Sequence, residues 1–386
     1  MKEGFDVVVV GGGPSGLFAS ALIADKGFDV VLFESKGEIG EGVVCAGILG
    51  IEAFRRFGLP TGSILGEIDE VRFISPRGSV LSYHHPEPLA YILDRPGFDM
   101  DLARDAEGKG VFLKKGSTVK RIDHRKGDLA VFVEGPQGIE EWRAKICILA
   151  TGPKYTLHRD LGLGVPKEFL RGAQVSMPFG MEGLGYVEVF VGKDVAPDAF
   201  GWRIPCPGGL SRVGIMTSRD PVPYLKALVS RISGGDMGSR ISMRPVAQGL
   251  SGRTFSDRVL AVGEAASQVK TTTGGGIYYG LIGAEAAAQT VSEAFRAWRF
   301  DRSFLSRYEG RWKEEIWREI RIGGRMRKAF ASLDDRRMEA LFGIMGTEEM
   351  ISIVRNKVRF DWHMDLLRAV LKKTSIRKLL GLIVGV

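Results

Sequence analysis

Residues 5–16 read FDVVVVGGGPSG, and this stretch carries the strongest structural signal in the chain. Its four valines form a continuous apolar run, which is typical of a parallel strand buried on both faces. Residues 17–26 then repeat apolar side chains at helical spacing, and a second apolar run at residues 30–33 ends in Glu34. This order of strand, glycine turn, helix, strand and carboxylate predicts a Rossmann-like nucleotide-binding unit.

Each glycine of the Gly11-x-Gly13-x-x-Gly16 fingerprint has its own physical role. The first makes the tight turn, the second lets backbone N–H groups approach a pyrophosphate, and the third packs the helix on the strand. Glu34 stands 18 residues after Gly16, where a carboxylate accepts hydrogen bonds from a ribose diol. The fingerprint therefore predicts a bound dinucleotide, and by itself it does not distinguish FAD from NAD.

Length and composition limit the class of protein. At roughly 150 residues per domain, 386 residues indicate two or three domains. An apolar share of 44% and a charged share of 26% are globular values, which exclude a fibrous or largely disordered chain. The net charge of +8 favours acidic partners. Three scattered cysteines, Cys45, Cys147 and Cys206, predict neither a disulfide framework nor a metal site, and they favour a reducing cytoplasm.

The remaining pattern predicts a discontinuous nucleotide-binding domain. Buried strands at residues 145–149 and 259–262 end in small-residue turns, and the glycine run at residues 274–276 leads into a helix from Tyr278 to about Phe295. We predict an α/β fold in which this domain, with its parallel sheet, covers residues 1–60, 89–160 and 251–295. Alternating patterns predict an antiparallel-sheet substrate domain over residues 61–88 and 161–250. Residues 296–386 are predicted to form a helical C-terminal region.

Five motifs follow one another in a fixed order along the chain. They are the fingerprint with Glu34, residues 40–47 (GEGVVCAG), residues 91–99 (YILDRPGFD), residues 197–214 and residues 262–277. With them the chain resembles the geranylgeranyl reductase family, in the p-hydroxybenzoate-hydroxylase-like branch of FAD-dependent oxidoreductases. The resemblance extends from the N-terminus to about Phe295. The third motif also predicts a helix that begins at Tyr91 and runs to about Ala106.

The fourth motif narrows the resemblance to prenyl reductases. It has the spacing of a Pro-x-x-Tyr-x-Trp-x-Phe-Pro pattern, with Phe for Tyr and Ile for Phe, and its residues are Pro197, Phe200, Trp202, Ile204 and Pro205, followed by Val213 and Gly214. Flavin-dependent halogenases carry a similar Trp-x-Trp-x-Ile-Pro signature. Two departures from the wider superfamily are Gly263-Glu264 in place of Gly-Asp and Thr151-Gly152 in place of Asp-Gly. The second departure weakens a hydroxylase interpretation.

The resemblance implies a noncovalent FAD and identifies the residues that would contact it. The implied cofactor-binding residues are Gly11, Gly13, Pro14, Ser15, Gly16, Glu34, Ser35, Cys45, Ala46, Arg95, Val119, Gly152, Gly263, Glu264, Gly275, Gly276 and Ile277. The implied substrate-binding residues are Phe200, Trp202, Ile204 and Pro205. In a strand, alternation places Phe200, Trp202 and Ile204 on one face, which we predict to be an apolar substrate wall.

Saturation of an alkene also needs a proton, and two residues are catalytic candidates. Cys45 follows a glycine-rich turn, and it is a proton donor, a gate to the pocket or a small buried hydrophobe. Tyr278 follows the glycine run, and it is either a second proton donor or a packing residue. The sequence pattern does not distinguish between these roles for either residue.

The predicted function is an FAD-dependent reductase that saturates carbon-carbon double bonds of a geranylgeranyl chain on a lipid by hydride transfer from reduced flavin. The alternatives are an electron-transfer flavoprotein-quinone type oxidoreductase and a flavin-dependent halogenase or hydroxylase. No second fingerprint follows a strand, so electrons are expected from transiently bound NAD(P)H or from ferredoxin. No nucleic-acid partner is expected, because binding modules are absent from the sequence.

The C-terminus predicts a contact with either a membrane or the protein itself. An apolar helical stripe is formed by Ile376, Leu379, Leu380 and Ile383, and basic residues lie beside it at Lys372, Lys373, Arg377 and Lys378. A basic amphipathic segment of this kind can lie in the interfacial plane of a membrane. The expected localisation is therefore cytoplasmic, with peripheral contact at the inner face of the cell membrane.

Overall fold

The structure is a computed structural model that describes residues 4–178, 185–234 and 240–373. Its strands in chain order are β1 (Phe5–Val10), β2 (Val30–Phe33), β3 (Ile48–Gly50), β4 (Ile64–Ile68), β5 (Glu70–Ile74), β6 (Val80–His84), β7 (Ala90–Leu93), β8 (Phe112–Lys114), β9 (Thr118–His124), β10 (Leu129–Gly135), β11 (Gly138–Leu149), β12 (Glu168–Pro178), β13 (Tyr186–Phe190), β14 (Phe200–Cys206), β15 (Leu210–Thr217), β16 (Ser242–Gln248), β17 (Phe255–Ser256) and β18 (Val259–Ala261). Its α-helices are α1 (Pro14–Ala24), α2 (Ile51–Phe57), α3 (Arg95–Gly108), α4 (Pro221–Ser233), α5 (Ile277–Ala297), α6 (Arg302–Ala331), α7 (Asp335–Met345), α8 (Glu348–Lys357) and α9 (Met364–Leu371).

The first sheet is the predicted nucleotide-binding sheet. Its order is β17-β18-β11-β1-β2-β8, and β1 pairs in parallel with β11 and β2. Val7, Val8 and Val9 are fully buried, as the unbroken valine run predicts. One face packs against α1, α3 and α5, while β9 and β10 contribute side chains to the core on the other face. The predicted Rossmann-like α/β fold is confirmed.

The second sheet lies between segments of the first in the sequence. Its order is β16-β12-β15-β14-β13-β5-β6, and α4 packs on one of its faces. The sheet is antiparallel, as predicted, except that β13 runs parallel to β5. Its free face turns toward residues 44–46 of the nucleotide-binding side, so the two sheets meet where the sequence motifs converge.

A three-stranded sheet, β3-β7-β4, corrects one sequence-based prediction. Tyr91 was predicted to begin a helix, but it lies in β7, which pairs with both β3 and β4. The helix α3 begins only at Arg95, because Asp94 occupies the N-cap and Pro96 lies in the first turn. Residues 51–57 form helix α2, which lies within the first segment predicted for the nucleotide-binding domain.

The described part of the C-terminal region is helical, as predicted. Helix α6 buries Tyr308, Trp312 and Ile316 against the nucleotide-binding side. Helix α7 accepts hydrogen bonds at Asp335 and Glu339 from backbone N–H groups in loops that follow β13 and β5. The predicted amphipathic stripe from Ile376 to Ile383 lies outside the described residues. Among the helices that the structure describes, each is too short or too polar to traverse a lipid bilayer.

Candidate flavin and substrate site

The glycine turn between β1 and α1 is shaped by close packing at two of its three fingerprint positions. Gly11 has φ of +110°, and a side chain there would overlap the carbonyl oxygen of Ala150. A side chain at Gly16 would overlap the Gly11 carbonyl and lie 2.9 Å from Ala150 Cβ. A Cβ at Gly13, by contrast, would meet nothing within 4 Å. The turn therefore leaves an open space at the N-terminus of α1, beside Pro14.

The carboxylate of Glu34 is fixed beside that space. Its Oε2 accepts a hydrogen bond from Gly12 N at 2.7 Å, and its Oε1 accepts from Lys36 N at 2.9 Å and Ser35 Oγ at 3.1 Å. These three hydrogen bonds orient the Glu34 carboxylate at the end of β2, where the fingerprint predicts it. Val119, another residue that the resemblance implies as a cofactor contact, lies on β9 and is 9% exposed, so it faces the protein interior.

The segment after β18 lies against the same turn. Gly263 has φ of +67°, and a Cβ there would lie 2.5 Å from Ser15 Oγ. Gly276 caps α5, which begins at Ile277, and a Cβ at Gly275 would lie 2.8 Å from Lys270 Cε. The structure thus brings the first and fifth motifs together at Ser15. Gly152 has φ of +60° in the turn that follows β11.

Arg95 is buried near Cys45, which belongs to the loop of residues 40–47 and is partly exposed. Arg95 is 6% exposed, and its Nη2 donates to Asp99 at 2.9 Å, while its Nε has no partner among the described residues. Burial acts to raise the pKa of the Cys45 thiol, but Arg95, the Gly47 N–H group and Arg244 outweigh it and lower that pKa below its ordinary value. The guanidinium thus favours an anion at this place.

These features fit a bound dinucleotide flavin. The open space at Gly13 offers backbone N–H groups to a pyrophosphate, the Glu34 carboxylate lies where a ribose would need an acceptor, and the unpartnered Arg95 Nε is a buried donor. Segments of the first, second, third and fifth motifs, although distant in sequence, are therefore close to one another near the glycine turn.

The loop that carries Cys45 is held by the substrate sheet through three successive carbonyl groups. Arg244 Nη1 donates to the carbonyl of Val44 at 3.2 Å, and Arg212 Nη1 donates to that of Ala46 at 3.1 Å. Between them, Gln174 Nε2 donates to the carbonyl of Cys45 at 3.2 Å. These three clamp residues were not identified from the sequence, because they lie on β16, β15 and β12 and belong to none of the predicted contact sets.

Glu264 lies between the two sheets. Its carboxylate pairs with Arg244 and accepts a hydrogen bond from Ala247 N at 3.4 Å, and its backbone carbonyl accepts from Tyr155 Oη at 3.1 Å. Burial raises the pKa of Glu264 despite the neighbouring guanidinium. The extra methylene relative to aspartate thus extends the carboxylate to the edge strand of the substrate sheet, in addition to any contact with a cofactor.

The predicted substrate wall lies on the free face of the second sheet. Phe200 and Trp202 are half-buried, whereas Ile204, Pro205 and Cys206 are buried. Ile204 packs with Ile92 and Ala46 of the nucleotide-binding side, and Phe200 packs with residues of the C-terminal helices. The two aromatic rings therefore remain the accessible part of the wall.

The structure gives Tyr278 a packing position. Its ring is 1% exposed, it contacts the ring of Trp362, and its hydroxyl donates to Glu52 Oε1 at 3.1 Å. Burial raises the pKa of Tyr278 to about 12. Its proton is directed at α2 and not at the substrate sheet. Within the described ranges, no group of three or more His, Cys, Asp or Glu side chains is arranged to hold a metal ion.

Comparison with known proteins gives the class that this fold and site define. A family model described as an NAD(P)-binding Rossmann-like domain matches residues 9–43. A geranylgeranyl bacteriochlorophyll reductase-like protein from Thermoplasma acidophilum matches with a TM-score of 0.86 at 23% identity, over 99% of this chain and 100% of that chain. The p-nitrophenol 4-monooxygenase of Pseudomonas putida matches with a TM-score of 0.74 at 19% identity, over 92% and 98%. The fold is that of the flavin-dependent oxidoreductases.

Sequence relatives identify the family within this class. The chain is 30% identical over 364 residues to digeranylgeranylglycerophospholipid reductase 2 of Methanothermobacter thermautotrophicus, covering 90% of this chain and 94% of the relative. It is 29% identical over 362 residues to digeranylgeranylglycerophospholipid reductase of Methanoculleus marisnigri, covering 88% and 90%. The chain belongs to the digeranylgeranylglycerophospholipid reductase family, and the predicted resemblance to geranylgeranyl reductases is confirmed.

Proposed function

We propose that this protein is an FAD-dependent reductase that saturates carbon-carbon double bonds of a geranylgeranyl chain on a lipid. The observation that carries the proposal is the apolar part of the free face of the substrate sheet, on a face that also contacts the Cys45 loop of the nucleotide-binding side. An isolated alkene has no charge by which it can be bound, so its pocket must be long, apolar and lined by aromatic side chains. Names of the relatives support the same substrate class.

One row of side chains across the sheet has the required character. Trp202 stands opposite Val189, Val189 opposite Phe73, and Phe73 opposite Leu81, and all four are half-buried. Neighbouring strands lie about 4.8 Å apart, so this row extends for about 14 Å. We call it the apolar row. Residues of the C-terminal helices cover part of it, namely Phe330, Leu341 and Phe342. Partly exposed apolar side chains between a sheet and helices are suited to an extended isoprenoid chain.

FAD is the cofactor we propose, held without a covalent bond by the residues around Gly13, Glu34, Arg95 and Gly263. When bound, reduced flavin supplies the hydride. The chain's own residues position the lipid and control protons. Cys45 is our candidate to hold or deliver a proton, because it belongs to the loop that contacts the substrate sheet and its thiol pKa is lowered by Arg95 against the effect of burial.

We further propose NAD(P)H or an acidic carrier such as ferredoxin as the electron donor, since a net charge of +8 favours acidic partners. Peripheral contact with the inner face of the cell membrane, in an otherwise cytoplasmic protein, is proposed from the predicted amphipathic stripe. A lipid substrate supports that proposal, because its apolar chains reside in the membrane.

The function is tested by incubating the dithionite-reduced, FAD-loaded protein with an unsaturated prenyl phospholipid and analysing the lipid by mass spectrometry. We expect a product that gains two hydrogens for each saturated bond. A matched sample without dithionite shows whether saturation depends on the reduced flavin. An unchanged lipid, together with rapid reoxidation of the flavin by a quinone, would instead favour the electron-transfer alternative.

The substitution Trp202→Ala is expected to weaken lipid binding much more than flavin binding. Burial of an aromatic side chain contributes roughly 1.5–3 kcal/mol, which corresponds to about 10- to 100-fold in affinity. Lipid turnover at low substrate concentration and flavin absorbance measure the two effects. Trp298→Ala is the matched control, because Trp298 is 68% exposed and its ring contacts Phe295 and Phe300, which do not belong to the wall. A parallel loss of flavin and turnover in Trp202→Ala would assign Trp202 to the scaffold.

A further inference from the structure

We infer that Gln174 is a positioning residue that couples the substrate wall to the Cys45 loop through the indole of Trp202. The inference rests on the proposed function, because it takes Trp202 as part of the wall. It assigns Gln174 a role as a relay: a ligand that fixes the Trp202 ring also fixes the backbone at Cys45.

The relay consists of two hydrogen bonds through one side chain. Trp202 Nε1 donates to Gln174 Oε1 at 3.3 Å, and Gln174 Nε2 donates to the Cys45 carbonyl at 3.2 Å. A neutral amide is suited to this place because it accepts and donates at the same time. A carboxylate of the same length would keep the bond from the indole and lose the bond to Cys45. An aliphatic side chain would lose both.

Sheet register explains how the two residues reach each other across an intervening strand. Trp202 on β14 stands opposite Gly214 on β15, and Gly214 stands opposite Gln174 on β12. A Cβ at Gly214 would lie 2.8 Å from Trp202 Nε1 and would overlap the ring. Because Gly214 has no side chain, the Trp202 indole can lie across β15. Gly214, which ends the fourth sequence motif, therefore has a structural role: it leaves room for the Trp202 ring.

The relay also joins the apolar row to the clamp. Trp202 belongs to the apolar row. Its indole N–H is also linked through Gln174 to the Cys45 carbonyl, the middle one of the three carbonyls that the clamp residues bind. Arg244 and Arg212 hold the carbonyls of Val44 and Ala46, whereas Gln174, at the central position, also accepts the hydrogen bond from the indole of Trp202. A change in the position of the Trp202 ring consequently changes how the Cys45 backbone is held.

The test uses Cys45 itself as the reporter. Cys147 and Cys206 are buried and Cys45 is partly exposed, so the rate of iodoacetamide labelling of the folded FAD-loaded protein measures access to Cys45. Labelling at one fixed pH keeps the charges of Arg95 and Arg244, which face the thiol, unchanged. Labelling of Cys45→Ser gives the background.

We expect Gln174→Leu to speed labelling by roughly 2- to 10-fold, the range expected for loss of the one hydrogen bond that holds the Cys45 carbonyl. Trp202→Phe, which keeps a ring but removes the indole N–H, is expected to act in the same direction. Prenyl phospholipid should slow labelling in the wild type, and both variants should lose that response. Gln289→Leu, at an exposed position on α5, is the matched control and should behave as wild type.

An unchanged labelling rate in Gln174→Leu with normal flavin content would overturn the relay. If Gln174→Leu fails to fold, Gln174→Glu and Trp202→Phe decide the question by the same measurement. The proposed function is judged separately by mass spectrometry of the wild-type product. A wild type that reduces no lipid, while Gln174→Leu still labels faster without lipid, would reject the function and keep the clamp.

Discussion

Replacing Asp361 by alanine is expected to lower the free energy of unfolding by roughly 3–5 kcal/mol. Asp361 is 1% exposed, and its Oδ1 lies 2.6 Å from Nζ of Lys270, which is 6% exposed. Removal of the Asp361 carboxylate leaves the Lys270 ammonium buried without its counter-charge. Removing one partner of a buried ion pair destabilises a protein more than replacing both partners by apolar side chains. Urea unfolding followed by circular dichroism measures the loss.

Two further variants make that experiment selective. Glu349→Ala breaks the surface pair with Lys373, whose side chains are 63% and 35% exposed, and it should cost less than about 1 kcal/mol. The double variant Lys270→Met with Asp361→Leu removes both buried charges and should recover much of the stability. An Asp361→Ala protein as stable as Glu349→Ala would contradict the assignment of a structural ion pair.

The pair matters because it joins the C-terminal region to the glycine run. Lys270 N donates to the Gly275 carbonyl at 2.9 Å, so the residue closes the turn before α5. The backbone carbonyl of Asp361 accepts a hydrogen bond from Tyr279 Oη at 3.1 Å, and Thr272 Oγ1 lies 2.8 Å from His363 Nδ1. The segment between α8 and α9 therefore anchors the helices that cover the apolar row to the proposed flavin site.

The local motifs could be predicted because their signals are contiguous in sequence. The strand, turn and helix around Gly11 to Gly16 need only neighbouring residues, and strand alternation puts Phe200 and Trp202 on one face before any tertiary contact is known. The boundary at Tyr91 was wrong because the competing signal is nonlocal. Its strand exists through pairing with β3 and β4, which no window around Tyr91 contains.

The clamp residues could not be predicted for the same reason. Gln174, Arg212 and Arg244 are ordinary polar residues in three strands, and only sheet register brings them to successive carbonyls. Asp361 likewise meets Lys270 across 91 residues of sequence. Sequence patterns identify residues that repeat or punctuate an element, whereas these contacts depend on the final arrangement of distant elements. Their positions carry no periodic or spacing signal.

The second large effect is expected for Gly13→Val, which should lower FAD affinity by at least about 100-fold, or about 2.7 kcal/mol. Gly13 has φ of −85° and ψ of 175°, extended backbone that valine adopts readily, and its Cβ would meet nothing within 4 Å. The variant should therefore fold. Its side chain would occupy the space through which backbone N–H groups approach the pyrophosphate. Titration by flavin fluorescence measures the affinity.

Two other glycines separate this cofactor effect from a folding defect. Gly16→Val should fail to fold, because the side chain would overlap the Gly11 carbonyl and crowd Ala150. Gly108→Val, at the exposed end of α3 with open space around its Cβ, should leave both FAD affinity and urea stability near wild type. The contrast predicts a stable, colourless apoprotein for Gly13→Val alone. Normal flavin content in that variant would mean that the pyrophosphate does not lie against this turn, and the proposed cofactor site would have to be abandoned.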